Sequence, residues 1–185
     1  DWSSDVCSSD LLEPWIYQQF MSRVELDETR TIRRKLEKRV EQTSHLSHDL
    51  TDTPGGKHDL ELTIQFLQLL HGGSLPEVRK SNTYEAVGAL QRSGCLTHQE
   101  SMLFSESYAR LGRLQNQIAL MFDRSGKVLP ENASDQCRLA WHLGIKKSDA
   151  DEADLDRFQN LLLDTFEKNR ASINHLMLDA PEIGR

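Results

Sequence analysis

Residue types that do chemistry are most concentrated between His48 and Gly73, where the chain reads HDLTDTPGGKHDLELTIQFLQLLHGG. A loop ending in Pro54, Gly55 and Gly56 runs into a helical pattern. Asp59 and Glu61 then fall in the first turn, with Gln65 and Gln68 further along. Two glycines before a helix permit close backbone approach, and the free amides of a helix start can face an anion such as a phosphate. The same residues have a plainer reading. Gly-Gly before a helix is a common turn, and acids in a first turn complement the helix dipole. Spacing alone leaves both open, and Gly55, Gly56, Asp59, Glu61 and Gln65 are the candidate site residues.

Other groups are weaker candidates. His45 and His48 are three apart but lie in a loop with no third ligand nearby, so a chance pair is the better reading than a metal site. His142 and His175 fall on or beside apolar faces and read as core or boundary residues. Cys95 and Cys137 have no CxxC spacing and read as small buried apolar residues in a reducing compartment. Trp15 and Trp141 read as packing anchors. One sequence supports no Ser/His/Asp or Cys/His arrangement.

The elements that must position these residues are helical. Apolar residues recur at three and four almost everywhere after Leu12, which predicts an all-α bundle of six to seven helices over residues 12–178. A first helix starts at Pro14. A second begins near Asp27, with Ile32, Leu36 and Val40 on one face. The next runs from about Lys57 to Leu70, with Leu60, Ile64 and Leu67 inward. Asn82 to Ser93 is shorter and stops at Gly94. Thr97 with Glu100 forms a capping-box pattern opening the longest segment, whose Phe104, Tyr108, Leu111, Leu114, Ile118 and Met121 make a bundle stripe. A short helix, DQCRLAWHLG, precedes a polar link. The last helix presents Leu155, Phe158, Leu162, Phe166, Ile173 and Leu176, a stripe that Asn169 interrupts, and residues 179–185 are expected to fray. No strand pattern survives.

Composition narrows the partners. A formal net charge of -7 makes a nucleic-acid surface a poor expectation, since the basic residues of IRRKLEKR are interspersed with acids and read as a solvated helix face. Nothing approaches the roughly 18 consecutive apolar residues of a membrane span. A cytoplasmic protein with protein or small-molecule partners is expected.

Several motifs occur together in order. PGG, two residues, then Asp59-Leu60-Glu61 and Gln65 resembles the GPGG-x-x-DIEF-x-x-Q signature of the glutamine synthetase adenylyltransferases, also called adenylyl-tyrosine phosphorylases. Asn82-Thr83 with EAVGAL and SGCL is similar to that family's NT-x-x-AL and G-x-L stretch, and SYARLGRLQNQI to its AY-x-x-LR helix. VLPE with RLAWHLGI is similar to its LP and LA-x-x-LG tail, and RRKLEKR to the arginine-rich helix before the signature. The resemblance covers roughly Leu12 to Met177. Departures are Thr53 before PGG, the Lys57-His58 pair, Leu62 in place of Phe, and Gly112 in place of Leu.

The resemblance implies a helical bundle that follows a nucleotidyltransferase domain in each half of a two-headed enzyme. One half transfers AMP from ATP to a tyrosine of glutamine synthetase, and the other removes it with phosphate. It also implies responsiveness to the PII signalling protein and glutamine, and Mg²⁺ and ATP, or phosphate, as cofactors of the intact enzyme. The catalytic signature of such a domain is Gly-Ser followed by Asp-x-Asp, whose carboxylates hold the metal. Here Gly73-Ser74 has no such partner downstream, and Asp149-Ala150-Asp151 sits in a polar link and reads as a solvated helix start. The alternative reading is a stand-alone helical interaction module without catalysis.

The first eleven residues, DWSSDVCSSDL, fit neither a helix nor a signal peptide. The bases TGC TCT TCC GAT CT encode Cys7 to Leu11 and resemble the end of a common sequencing adapter. The expectation is that residues 1–11 are a translated adapter and that the catalytic domain lies upstream of Leu12. The other reading is a disordered Ser/Asp-rich terminus.

Overall fold

The computed structural model describes residues 16–17, 23–42, 49–123, 126–145 and 152–178. Six α-helices run through them: α1 (Arg23–Gln42), α2 (Lys57–His71), α3 (Thr83–Arg92), α4 (His98–Phe122), α5 (Ala133–His142) and α6 (Glu152–Leu178), with a 3₁₀ turn at Pro76–Val78. Among the described residues there is no strand, only one antiparallel bridge between Asp49 and Val128. The all-α expectation holds.

Local chemistry sets the helix starts. Asn82 caps α3 by accepting from the backbone N–H groups of Tyr84 and Glu85 at 2.9 and 3.3 Å. At α4 the expected capping box forms: the Thr97 hydroxyl accepts from the Glu100 N–H at 3.2 Å, and the Glu100 carboxylate accepts from the Thr97 N–H at 2.8 Å. Asn132 caps α5 through the Ser134 N–H at 3.0 Å, so that helix starts two residues earlier than its apolar pattern indicates.

Helix α4 is the centre of the bundle and packs against α2, α3, α5 and α6, while α2 also packs on α3 and α6. The core follows the apolar stripes. Phe104, Leu111, Leu114 and Ile118 of α4 are fully buried against Leu60, Ile64 and Leu67 of α2, Leu90 of α3, Leu139 of α5, and Phe158, Phe166 and Ile173 of α6. Each such side chain contributes on the order of 1.5–3 kcal/mol by leaving water. Tyr108, Met121, Leu155 and Leu176 lie half-buried at the margins of their stripes.

Some expectations require correction. Helix α1 begins at Arg23 rather than near Asp27, which lies inside it and is exposed. Ile32 points outward at 59% exposure, and its neighbour Arg33 takes the inward position. The reason is that Arg33 has polar partners inside, the Asp59 carboxylate and the Asn174 side chain, which hold its guanidinium inward. Trp141 is 62% exposed and not an anchor. Leu139 and Ala140 occupy the inner face of α5, and the indole instead meets the exposed His142 ring edge-on at 4.9 Å. His175 is likewise exposed, and Cys95 and Cys137 are half-buried free thiols. Residues 1–11, the helix expected from Pro14 beyond Ile16 and Tyr17, Trp15, the side chains of Leu36 and Val40, His45, His48, Asp149 to Asp151 and the tail 179–185 lie outside the described residues or side chains.

The two aromatic residues Phe104 and Trp141 therefore separate core from surface. Phe104→Ala is expected to lower the unfolding free energy by about 3–5 kcal/mol, whereas Trp141→Ala stays within about 0.5 kcal/mol. Urea unfolding of both variants checks this, and comparable losses at the two positions would contradict the packing.

Candidate functional site

The loop before α2 is folded tightly on itself. The Asp49 carboxylate accepts from the N–H groups of Thr51 and Asp52 at 2.7 and 3.0 Å, and the Thr53 hydroxyl donates to the Asp49 carbonyl. Two longer ties hold it to the bundle. The Leu50 N–H donates to the Lys127 carbonyl at 2.7 Å, and the Gln115 side-chain amide of α4 donates to the Thr51 hydroxyl at 3.0 Å.

Gly56 offers α2 no side-chain cap, and the loop supplies the missing acceptors itself. The Gly56 N–H donates to the Thr53 carbonyl at 2.6 Å, the Lys57 N–H to Leu50 at 3.3 Å and the His58 N–H to Thr51 at 3.2 Å. The Gly55 N–H donates to Asp59 Oδ2 at 2.7 Å. The Gly55, Gly56, Lys57 and His58 amides are thus taken by the chain, and a phosphate would have to break these bonds to reach them.

Gly55, Gly56 and Asp59 are buried and form a clasp. Gly55 has φ of +80°, and a methyl group there would run into the Phe166 carbonyl of α6, so only glycine lets loop and helix approach this closely. The Asn169 amide donates to the Gly55 carbonyl at 2.8 Å. Asp59 Oδ1 accepts from Arg33 Nη1, and Arg33 Nε donates to Asn174 Oδ1 of α6 at 3.1 Å. One turn earlier in α1, Arg30 Nε donates to the Met177 carbonyl at 3.2 Å. The two contacts run in opposite directions along the two helices, so α1 lies antiparallel to the end of α6. Arg33 is 3% exposed, so the charge pair with Asp59 is out of water. Removing one member of such a pair takes a buried counter-charge from the other.

Glu61 and Gln65 stand apart from the clasp. Glu61 is half-buried and accepts from the Tyr108 hydroxyl of α4 at 2.8 Å. The Tyr108 ring is met edge-on by Tyr84 at 5.2 Å and by the Lys57 ammonium at 5.0 Å from its centre. Burial pushes the Tyr108 phenol above its ordinary range, with the Thr83 hydroxyl acting the other way and the Glu61 carboxylate adding to the rise. Gln65 is exposed and lies with His58, Leu62 and Leu69 on the outward stripe of α2. Gln68 is turned inward instead, donating to the Val78 and Lys80 carbonyls at 2.7 and 2.8 Å. His71, at the end of α2, is held below the usual histidine range by burial.

Three residues of this arrangement went unrecognised from sequence. Arg33 was hidden in a run that reads as a solvated face. Asn169 left a signal, the polar break in the apolar stripe of α6. Tyr108 reads as packing alone.

The described residues do not fit Mg²⁺: no three His, Cys, Asp or Glu side chains converge on a point among them. The Gly55, Gly56, Lys57 and His58 amides that would face a phosphate are already bonded. No described helix is long and apolar enough to cross a membrane.

Comparison with known proteins gives one family. A family profile described as GlnD PII-uridylyltransferase matches residues 20–177. Among curated proteins, the chain is similar to the bifunctional glutamine synthetase adenylyltransferase/adenylyl-removing enzyme of Stenotrophomonas maltophilia, with 30% identity over 133 residues, 72% of this chain and 14% of that protein. It is 29% identical over 135 residues to the enzyme of the same description from Xanthomonas axonopodis pv. citri, covering 73% of this chain and 14% of the relative. The Shewanella loihica relative is 26% identical over 146 residues, 79% of this chain and 15% of its own length. The chain thus spans about one seventh of the relatives it matches.

The clasp and the outward stripe are expected to respond differently to substitution. Asp59→Ala lowers the unfolding free energy by about 3–5 kcal/mol, because the buried Arg33 loses the carboxylate it faces, while Gln65→Ala costs less than about 0.5 kcal/mol. Chemical denaturation distinguishes them, and a fully stable Asp59→Ala protein would show that the pair does not hold the loop.

Proposed function

Since the chain belongs to the GlnD PII-uridylyltransferase family, we propose that residues 12–178 are the helical domain of a cytoplasmic glutamine synthetase adenylyltransferase/deadenylylase. In this reading the reaction is AMP transfer to, or phosphorolytic removal from, a tyrosine of glutamine synthetase. The metal-binding Asp-x-Asp, Mg²⁺ and ATP or phosphate belong to a nucleotidyltransferase domain outside this chain, and the PII signalling protein is a regulatory partner.

One observation carries the reading: the relatives named for this two-way chemistry align with 72 to 79% of the chain. The geometry supports a division of labour within the signature. Gly55, Gly56 and Asp59 are spent on holding the start of α2, which leaves Glu61 and Gln65 as the signature side chains able to line a neighbouring active site. Asp59 then contributes to the site by placement rather than by contact.

A second reading, a stand-alone interaction module, draws on the apolar side chains left at the surface, with Leu120 82% and Trp141 62% exposed. The two readings part at the gene. The full-length protein is expected to attach AMP to glutamine synthetase with ATP and Mg²⁺, or to release it with phosphate, as read by intact-mass spectrometry. The 185-residue chain by itself is expected to do neither. A full-length protein inert in both directions would overturn the proposal, and turnover by the chain alone would overturn the placement of the chemistry outside it.

A further inference from the structure

Lys57, Glu61 and Gln65 follow one another at intervals of four and so form a single edge of α2, beside the Tyr108 ring. The charges on this edge are held in an unusual way. Lys57 and Glu61 are spaced for an ion pair on a helix, yet the ammonium lies over the Tyr108 ring, and the Tyr108 hydroxyl takes one oxygen of the carboxylate. No donor among the described residues reaches the second oxygen of Glu61. Tyr84 meets the Tyr108 ring edge-on at an interplanar angle of 82°, and α4 carries that ring at the margin of the core. The carboxylate is therefore held on one side by the neutral Tyr108 hydroxyl and offers an unengaged anionic acceptor on the other.

We infer that Tyr108 is a positioning residue: it holds Glu61 so that its free oxygen can accept a hydrogen bond from a hydroxyl group of the nucleotide or of the acceptor tyrosine at the neighbouring active site. This rests on the function proposed above. The raised phenol supports it, because a Tyr108 that keeps its proton across the working pH range remains a donor and never becomes a second negative charge beside Glu61. Lys57 and Gln65 on the same edge add a cation and an amide, which suits a polar, partly anionic ligand better than an apolar peptide.

The test uses the full-length protein with Tyr108→Phe, Glu61→Gln and the double variant, assayed for adenylyl transfer with ATP, for adenylyl release with phosphate, and for thermal unfolding. Losing a hydrogen bond to a charged group corresponds to roughly a tenfold to hundredfold change in rate. Tyr108→Phe should therefore lower kcat/KM about tenfold without changing the unfolding midpoint of the helical domain enough to leave it unfolded at assay temperature. Glu61→Gln should lower kcat/KM at least as far. In the Glu61→Gln background the additional Tyr108→Phe change should have no effect, since a positioning residue acts only through the group it positions. A purely structural Tyr108 would give losses that multiply. Wild-type activity in either single variant, or multiplying losses in the double variant, would overturn the inference while leaving the proposed function standing. A wild-type protein that neither transfers nor releases an adenylyl group would overturn both.

Discussion

The arrangement of the start of α2 depends on one buried interaction, the charge pair between Arg33 and Asp59. It joins three parts that are far apart in sequence. Arg33 comes from α1 and also reaches Asn174 of α6, while Asp59 lies in the first turn of α2 and also accepts from Gly55 in the preceding loop. A charge pair out of water is a costly way to join elements, and its main contribution is geometric, because neither charge tolerates a different neighbour. Hydrophobic stripes alone would allow α1 to slide along the bundle. A guanidinium with fixed partners on two helices does not, and Arg30 on the Met177 carbonyl fixes the same register one turn away.

The clasp also explains why two glycines precede α2 without forming an anion site. Gly55 is required by the close approach to the Phe166 carbonyl, and its own N–H and C=O groups are taken by Asp59 and Asn169. A segment whose composition suggests phosphate binding thus serves as a joint. Any function of this region passes to the residues just beyond it, where α2 turns Glu61 toward Tyr108 and leaves Gln65 in solvent.

Much of the fold was legible in the sequence because it rests on local rules. The stripe on α4, the Thr97 and Glu100 box and the apolar face of α2 all follow from spacing and capping, which act within a few residues. The misreadings share a physical origin. Arg33 and Ile32 exchanged inside and outside because a long cation with buried partners can replace an apolar anchor, and the partners lie 26 and 141 positions away in the chain. Residue type alone makes Trp141 an anchor, whereas its position on α5, next to the inward Leu139 and Ala140, points it outward. For the candidate site, sequence located the segment but not the roles. Whether Asp59 faces a ligand or a buried arginine is decided by tertiary packing, and no spacing rule contains that information.

The most direct measurement is a double-mutant cycle on unfolding free energy with Arg33→Met and Asp59→Leu. If the pair organises the start of α2, each single change is strongly destabilising, and the double variant loses less than the sum by roughly 2–3 kcal/mol, because neither charge is left stranded. Losses that simply add would contradict it, and would mean that α1 and the clasp are held independently.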